Sequence, residues 1–235
     1  MGGLFKIGGT MKKIKLIVFD VDGLMLNTEW LWQDAWREVA KRNDCPEFAR
    51  VHDLIVGVNG SDIDKILNEN LSFLPKDKVK KMLDEAHIIG MDNIKYKLKP
   101  TPYLPEIVED LKSKGFKLAV ATATNRDLTM ERLGRMDLLN NFDYVLCGDE
   151  VTKRKPDPEI YLKVAKHFDL DPSSIMVLED TGYGVQAAYR AGANVIMVPS
   201  INPPTSIEKE MAFALVKNLD EARILIEQTV LKEDF

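Results

Sequence analysis

Five short, largely apolar runs punctuate the chain, each bounded by polar or turn-forming residues: Ile14 to Phe19, Leu118 to Ala121, Tyr144 to Cys147, Ile175 to Leu178 and Val195 to Val198. Runs of this length predict buried strands. Between them, apolar residues return at helical spacing. Leu104, Ile107, Val108 and Leu111 predict a helix from Leu104 to Lys114, and similar patterns cover Leu128 to Met136, Pro158 to Phe168 and Val185 to Arg190, the last closed by Gly192. Strands alternating with helices build right-handed βαβ units, so the expected fold class is α/β with a mainly parallel sheet.

One interval breaks the alternation. From about Thr28 to Leu98 the chain carries helical patterns at Trp30 to Arg42, Asp62 to Asn70 and Lys76 to Ile88, with no strand pattern. This predicts an inserted helical unit at 28–98 that splits a core of 11–27 and 99–235. The insert ends at Lys99-Pro100-Thr101-Pro102, where two prolines stop any helix and stiffen the connection. Residues 1–10, with glycines at 2, 3, 8 and 9, read as a flexible leader or tag remnant, which would make Met11 the natural start.

Composition narrows the picture. With 235 residues, 45% hydrophobic and 29% charged, the chain supports one sizeable core and a smaller unit without covalent staples. Cys45 and Cys147 are far apart and in no Cys-x-x-Cys or His-containing spacing, which argues against a disulfide scaffold or a zinc site and fits reduced cytoplasmic thiols. A formal net charge of −5 offers no basic field to a nucleic-acid backbone, so any phosphate must be captured locally. No apolar run approaches the roughly 20 residues of a membrane span, and the first residues lack the charged and apolar regions of a signal peptide. The expectation is a cytoplasmic protein with neither nucleic-acid nor membrane partners, a monomer with a dimer as the alternative.

In an open parallel α/β sheet, ligands bind beyond the carboxyl ends of the strands, so the residues just after each apolar run carry the information. The first run delivers Asp20 and Asp22, the second Thr122 and Thr124, the third leads through a loop to Lys155, and the fourth delivers Glu179 and Asp180. Singly, each has an ordinary reading: a turn, a helix cap or a solvated lysine. Together they match one chemistry, phosphoryl transfer through a covalent carboxylate intermediate. A phosphate dianion repels carboxylates, so the acidic groups need a divalent cation, and hard oxygen ligands without Cys or His select Mg²⁺. Candidate ligands are Asp20, Asp180 and the backbone carbonyl near Asp22, with Glu179 either ligating directly or standing one step behind. Lys155, the Thr122 hydroxyl and neighbouring backbone N–H groups such as that of Ala123 would cradle the phosphate.

The set Asp20-Val21-Asp22-Gly23, Val120-Ala121-Thr122, Lys155-Pro156-Asp157-Pro158 and Leu178-Glu179-Asp180-Thr181 resembles, in order and spacing, the four motifs of the haloacid dehalogenase superfamily. The helical insert after the first motif resembles the small cap of its phosphoglucomutase-like subfamily. Asp22 to Glu29 and Met197-Val198-Pro199 are similar to the small-metabolite phosphatases that include pseudouridine 5′-phosphatase. The resemblance implies a Rossmann-like parallel-sheet core with the Asp20 strand central, an inserted α-helical cap, Mg²⁺ as cofactor and an aspartyl-phosphate intermediate. It also implies the division of labour: Asp20 as nucleophile, and Asp22 as the acid that protonates the leaving alcohol and then the base for water. The expected substrate is a small phosphorylated metabolite, either a sugar phosphate or a nucleoside monophosphate.

Three departures from that pattern matter. Asn27 stands where many relatives carry Asp. Trp32 stands near the place of a histidine in β-phosphoglucomutases, and Gly57-Val58-Asn59-Gly60-Ser61 holds no arginine. A mutase needs a cationic anchor for its substrate's second phosphate. Hydrolysis is therefore expected over isomerisation, with the mutase as the alternative and a non-catalytic binding module behind it. Trp32 and Trp36, four apart on one helix, and His52, His87 and His167 are expected to be packing or surface residues, and Asp157 an N-cap with Pro158 at the first helical position.

Overall fold

The computed structural model describes residues 13–58 and 60–230, with only the backbone of Gly60, Ser61 and Val230. The expected leader at 1–10, Met11 and Asn59 lie outside the described residues. Two compact units result: one of 13–25 with 100–230, the other Leu26–Lys99.

The first unit is a six-stranded sheet: β1 (Leu16–Phe19), β2 (Lys117–Ala121), β3 (Tyr144–Leu146), β4 (Ile175–Glu179), β5 (Asn194–Met197) and β6 (Ala214–Leu215). Every strand pair is parallel and the order is β3-β2-β1-β4-β5-β6, with β1 between β2 and β4. The five expected strands are present, trimmed or extended by one or two residues. The sixth has only two residues, too few to carry a periodic signal.

All four β1 side chains are buried, which is why its sequence, Leu-Ile-Val-Phe, shows no alternation. Leu16 and Val18 join Ala119, Ala121, Val177 and Val195 in a cluster with Ile160, Tyr161 and Val164, so this face lies under the helix Glu159–His167. The alternate residues Ile17, Phe19, Leu118, Val120, Met176 and Leu178 are equally buried and need cover on the other face. The expected helix appears there at Leu104–Ser113, contacting β2 and packing beside a helix at Leu219–Val230. That last helix carries no expectation above; Leu219, Ala222, Leu225 and Ile226 are buried along it, and Asn218 Oδ1 accepts a hydrogen bond from Glu221 N at its start, 2.9 Å.

The second unit holds four helices, α1 (Thr28–Arg42), α2 (Pro46–Ile55), α3 (Gly60–Leu71) and α4 (Lys76–Lys97). Of these, α2 carries no expectation above, and α4 runs nine residues beyond Ile88, burying Asn93 and Ile94 in the added turns. Trp36 stacks on Phe48 at 4.3 Å between ring centroids, and Trp32 lies on α4 against His87 and the bare face of Gly90. Both are packing residues here. Asn27 is engaged twice: its Oδ1 accepts from Lys99 N at 2.8 Å and its Nδ2 donates to Lys97 O at 3.4 Å. An aspartate could make the first bond but not the second. Among the described residues, no helix is long and apolar enough to cross a membrane.

Gly148, just past β3, leaves no room for a side chain. A Cβ there would lie 2.0 Å from the Ala123 carbonyl oxygen, and the Gly148 N–H donates to Thr124 O at 2.8 Å. Gly148→Ala is expected to destabilise the fold by about 1–3 kcal/mol through this overpacking, read as a lower denaturation midpoint. An unchanged midpoint would mean that the 122–124 backbone yields freely.

Candidate active site

The site residues sit where adjacent strands end. The β1 register pairs Phe19 with Val120 on β2 and with Leu178 on β4, so the next residues, Asp20, Ala121 and Glu179, come together. Asp20 N donates to Leu178 O at 3.1 Å, and Thr122 N to Leu146 O at 3.1 Å, extending the ladder one step past the strands. The backbone therefore fixes where Asp20, Thr122 and Asp180 leave the sheet.

Lys155 arrives from the loop after β3, and several contacts hold that loop. The Glu159 carboxylate accepts from Thr152 N at 2.9 Å and Lys153 N at 2.8 Å, and Arg190 Nη1 donates to Pro156 O at 2.9 Å. The Glu159 carboxyl is drawn down to about 2 by Lys163 and by those backbone N–H groups. The following helix begins at Glu159 rather than at Pro158. Asp157 consequently serves from one place earlier than expected, its Oδ1 accepting from Glu159 N at 3.0 Å.

The Lys155 ammonium is buried and makes three hydrogen bonds: to Asp20 Oδ1 at 2.6 Å, to Glu179 Oε1 at 2.6 Å and to the Ala121 carbonyl at 3.0 Å. Burial alone would favour the neutral amine, but Asp20 and Glu179 outweigh it and hold its pKa well above the usual lysine range. Tyr161, buried in the core, donates its hydroxyl to the same Glu179 oxygen at 2.5 Å. The other Glu179 oxygen accepts from Asp180 N at 3.2 Å and from Thr181 N and Oγ1 at 3.4 Å each. Gly184 is what makes room for this carboxylate, since a Cβ there would fall 1.9 Å from Glu179 Cδ.

Asp20, Glu179 and Asp180 each place a carboxylate oxygen within 4.8 Å of the others, and all three residues are buried. Ser200 Oγ donates to Asp180 Oδ2 at 2.5 Å. One lysine does not balance three carboxylates in so dry a place. Burial pushes the Asp20 carboxyl up from 3.8 to about 8, Lys155 opposes the rise, and Glu179 and Asp22 add to it. An all-oxygen donor set with excess negative charge suits a hard divalent cation.

Asp22 stands apart from that cluster. Its Oδ1 accepts from Arg132 Nη1 at 2.8 Å and its Oδ2 from Thr124 Oγ1 at 2.6 Å. Thr122 is fully buried, and its hydroxyl oxygen accepts from Thr124 N at 3.1 Å, while Ala123 is exposed. The structure thus brings Asp20, Thr122, Lys155, Glu179 and Asp180 to neighbouring strand ends, with Asp22 two residues beyond Asp20. Sequence reasoning missed Tyr161, Arg132 and Ser200, which reach the site from helices or from a later loop.

The raised Asp20 carboxyl has a measurable consequence. With divalent metal removed, folded Asp20 holds a proton between pH 3.8 and about 8 that the unfolded chain has lost, so this group's contribution to stability is present at low pH and is lost as pH rises through that window. In EDTA, the fall in melting temperature between about pH 5.5 and about pH 8.5 is expected to be smaller for Asp20→Asn than for wild type. A larger fall in the variant would reverse the sign and discard the assignment.

Comparison with known proteins agrees with this architecture. The family described as haloacid dehalogenase-like hydrolase matches residues 17–198. A phosphorylated carbohydrates phosphatase of Thermotoga maritima is 36% identical over 216 residues, covering 91% of this chain and 99% of the relative. The fructose-1-phosphate phosphatase of Escherichia coli is 28% identical over 195 residues, covering 77% and 95%. A solved structure of a Thermotoga maritima protein, provisionally designated a beta-phosphoglucomutase, is 34% identical with a TM-score of 0.72 and covers 92% of this chain and all of its own. The chain belongs to the haloacid dehalogenase-like hydrolase family.

Proposed function

We propose that the protein is a Mg²⁺-dependent phosphatase that hydrolyses a small phosphorylated carbohydrate through an aspartyl-phosphate on Asp20. The observation that carries this reading is the buried Lys155 ammonium bonded to Asp20 at a strand-end cluster that also holds Asp180. An isolated structural ion pair would gain little from being dry. A carboxylate nucleophile beside a fixed cation is what phosphoryl transfer uses.

The donor set fits the ion. Asp20, Asp180 and the Asp22 backbone carbonyl would hold it. Glu179, whose two oxygens already accept five hydrogen bonds, stands behind them as the anchor of Lys155. Bound Mg²⁺ supplies positive charge to the transferring phosphoryl oxygens and keeps the nearby carboxylates ionised.

In the first half-reaction an Asp20 oxygen forms a bond to phosphorus while the bond to the leaving oxygen breaks, and Asp22 gives its proton to that oxygen. In the second, Asp22 takes a proton from water as the water oxygen attacks phosphorus. The bond from Asp20 to phosphorus then breaks, with its electron pair returning to the carboxylate. Lys155, the Thr122 hydroxyl and the Ala123 N–H stabilise the phosphoryl oxygens throughout.

Two relatives named as phosphatases of phosphorylated carbohydrates support a sugar phosphate as substrate over a nucleoside monophosphate. They also support water as the acceptor, as does the absence of a cationic anchor at positions 57–61. Buried, free Cys45 and Cys147 suit a reducing cytoplasm.

In a panel of phosphorylated metabolites with Mg²⁺, wild type is expected to release one phosphate per substrate consumed, and Asp20→Asn to lose at least about 10³-fold in kcat while staying folded. An active Asp20→Asn would remove the nucleophile. A sugar phosphate isomer formed without free phosphate would make the protein a mutase.

A further inference from the structure

Asp22 is held by two side chains that the mechanism above does not use. Arg132 Nη1 bonds one oxygen at 2.8 Å and Thr124 Oγ1 the other at 2.6 Å. Arg132 projects from the helix Arg126–Arg135, whose start is capped by Asn125 accepting from Leu128 N at 3.0 Å. Thr124 is pinned through its own backbone, with N donating to Thr122 Oγ1 and O accepting from Gly148 N. Both arms therefore rest on rigid supports.

As a purely structural element, Arg132 is a poor choice. Its side chain is only 7% exposed, and its Nε is buried with no hydrogen-bond partner. Its ion-pair partner, Asp22, is 19% exposed at the side chain and so partly hydrated. A buried guanidinium with an unsatisfied nitrogen gains less than an apolar side chain of the same volume would in that place. What it does provide is a fixed, planar donor that never gives up its proton.

We infer that Arg132, with Thr124, is a positioning residue that fixes the Asp22 carboxylate in its working orientation for both proton transfers. An ionised carboxylate has about four lone-pair sites, and the clamp uses one on each oxygen. A free site therefore remains for the proton that Asp22 gives to the leaving oxygen in the first half-reaction and for the proton it takes from water in the second. Arg132 cannot itself accept the proton, so it holds Asp22 in place without becoming a second site for it. The inference rests on the acid and base roles proposed for Asp22.

The test is a set of kinetic comparisons on one sugar phosphate that wild type hydrolyses, using Arg132→Met, Arg132→Lys, Thr124→Val, Asp22→Asn and the double variant Asp22→Asn/Arg132→Met. Arg132→Met is expected to lower kcat by about tenfold to a hundredfold, the scale on which misplacing a general acid acts, with KM changed by less than about twofold. Arg132→Lys, which keeps the charge but not the fork, should recover part of the loss, and Thr124→Val should show a smaller loss of the same kind. In the Asp22→Asn background, adding Arg132→Met should change the residual rate by less than about twofold, because no carboxylate is left to orient.

An equal loss in both backgrounds would overturn the clamp, as would an effect confined to KM or a wild-type kcat in Arg132→Met. Should Arg132→Met not fold, Arg132→Lys and Thr124→Val decide in its place, and wild-type kcat in both overturns the clamp. If Asp22→Asn keeps wild-type turnover while Asp20→Asn is inactive, the acid and base reading itself fails, a result separate from any behaviour of Arg132.

Discussion

The contact on which the rest depends is the buried ammonium of Lys155, bonded at once to Asp20, Glu179 and the Ala121 carbonyl. An ammonium withdrawn from water is costly unless its protons all find partners, and here three acceptors at the ends of three different strands converge on it. Much of the surrounding structure serves that convergence. Tyr161 and the backbone after β4 hold Glu179, Gly184 leaves it space, and Glu159 and Arg190 hold the loop that carries Lys155. None of these groups need touch a substrate, yet each sets how firmly the charge stands beside Asp20.

The same contact leaves a surplus. With Asp180 close to Asp20 and Glu179, one lysine faces three carboxylates, and the Asp20 carboxyl rises to about 8 because burial and its acidic neighbours outweigh Lys155. A pocket of this kind is poised for more positive charge, and the proposed Mg²⁺ answers that need. Asp22, two residues along, lies outside that cluster and bonds to a cation of its own, Arg132. Two carboxylates close in sequence thus have different partners, Lys155 for Asp20 and Arg132 with Thr124 for Asp22.

The repeated apolar runs and the helical spacing between them sufficed for five strands, the parallel sheet and the helical insert, because each buried strand must be apolar wherever it lies. Three of the four motifs were legible for a related reason: β1, β2 and β4 deliver Asp20, Thr122 and Asp180 through the backbone register, whereas Lys155 comes from the loop after β3. The helices α2 and Leu219–Val230 carry no expectation above, and the shorter elements were not legible. Two residues of β6 have no period, and the helix Ser206–Met211 announces itself only through its capping box of Thr205 and Glu208.

By itself, then, the sequence determined the class of fold, the order of its parts and which residue types emerge at the strand ends, since these follow from local hydrophobic period and short-range turn chemistry. Only the tertiary structure decided how the charges pair. Tyr161 and Arg132 lie within helices, 18 residues from Glu179 and 110 from Asp22, where nothing local separates a core tyrosine or a surface arginine from one aimed at a carboxylate. Packing alone sends Tyr161 to Glu179, assigning that carboxylate to the lysine, and sends Arg132 to Asp22. A hydrogen bond across such distances in the chain exists only once the sheet has brought its ends together.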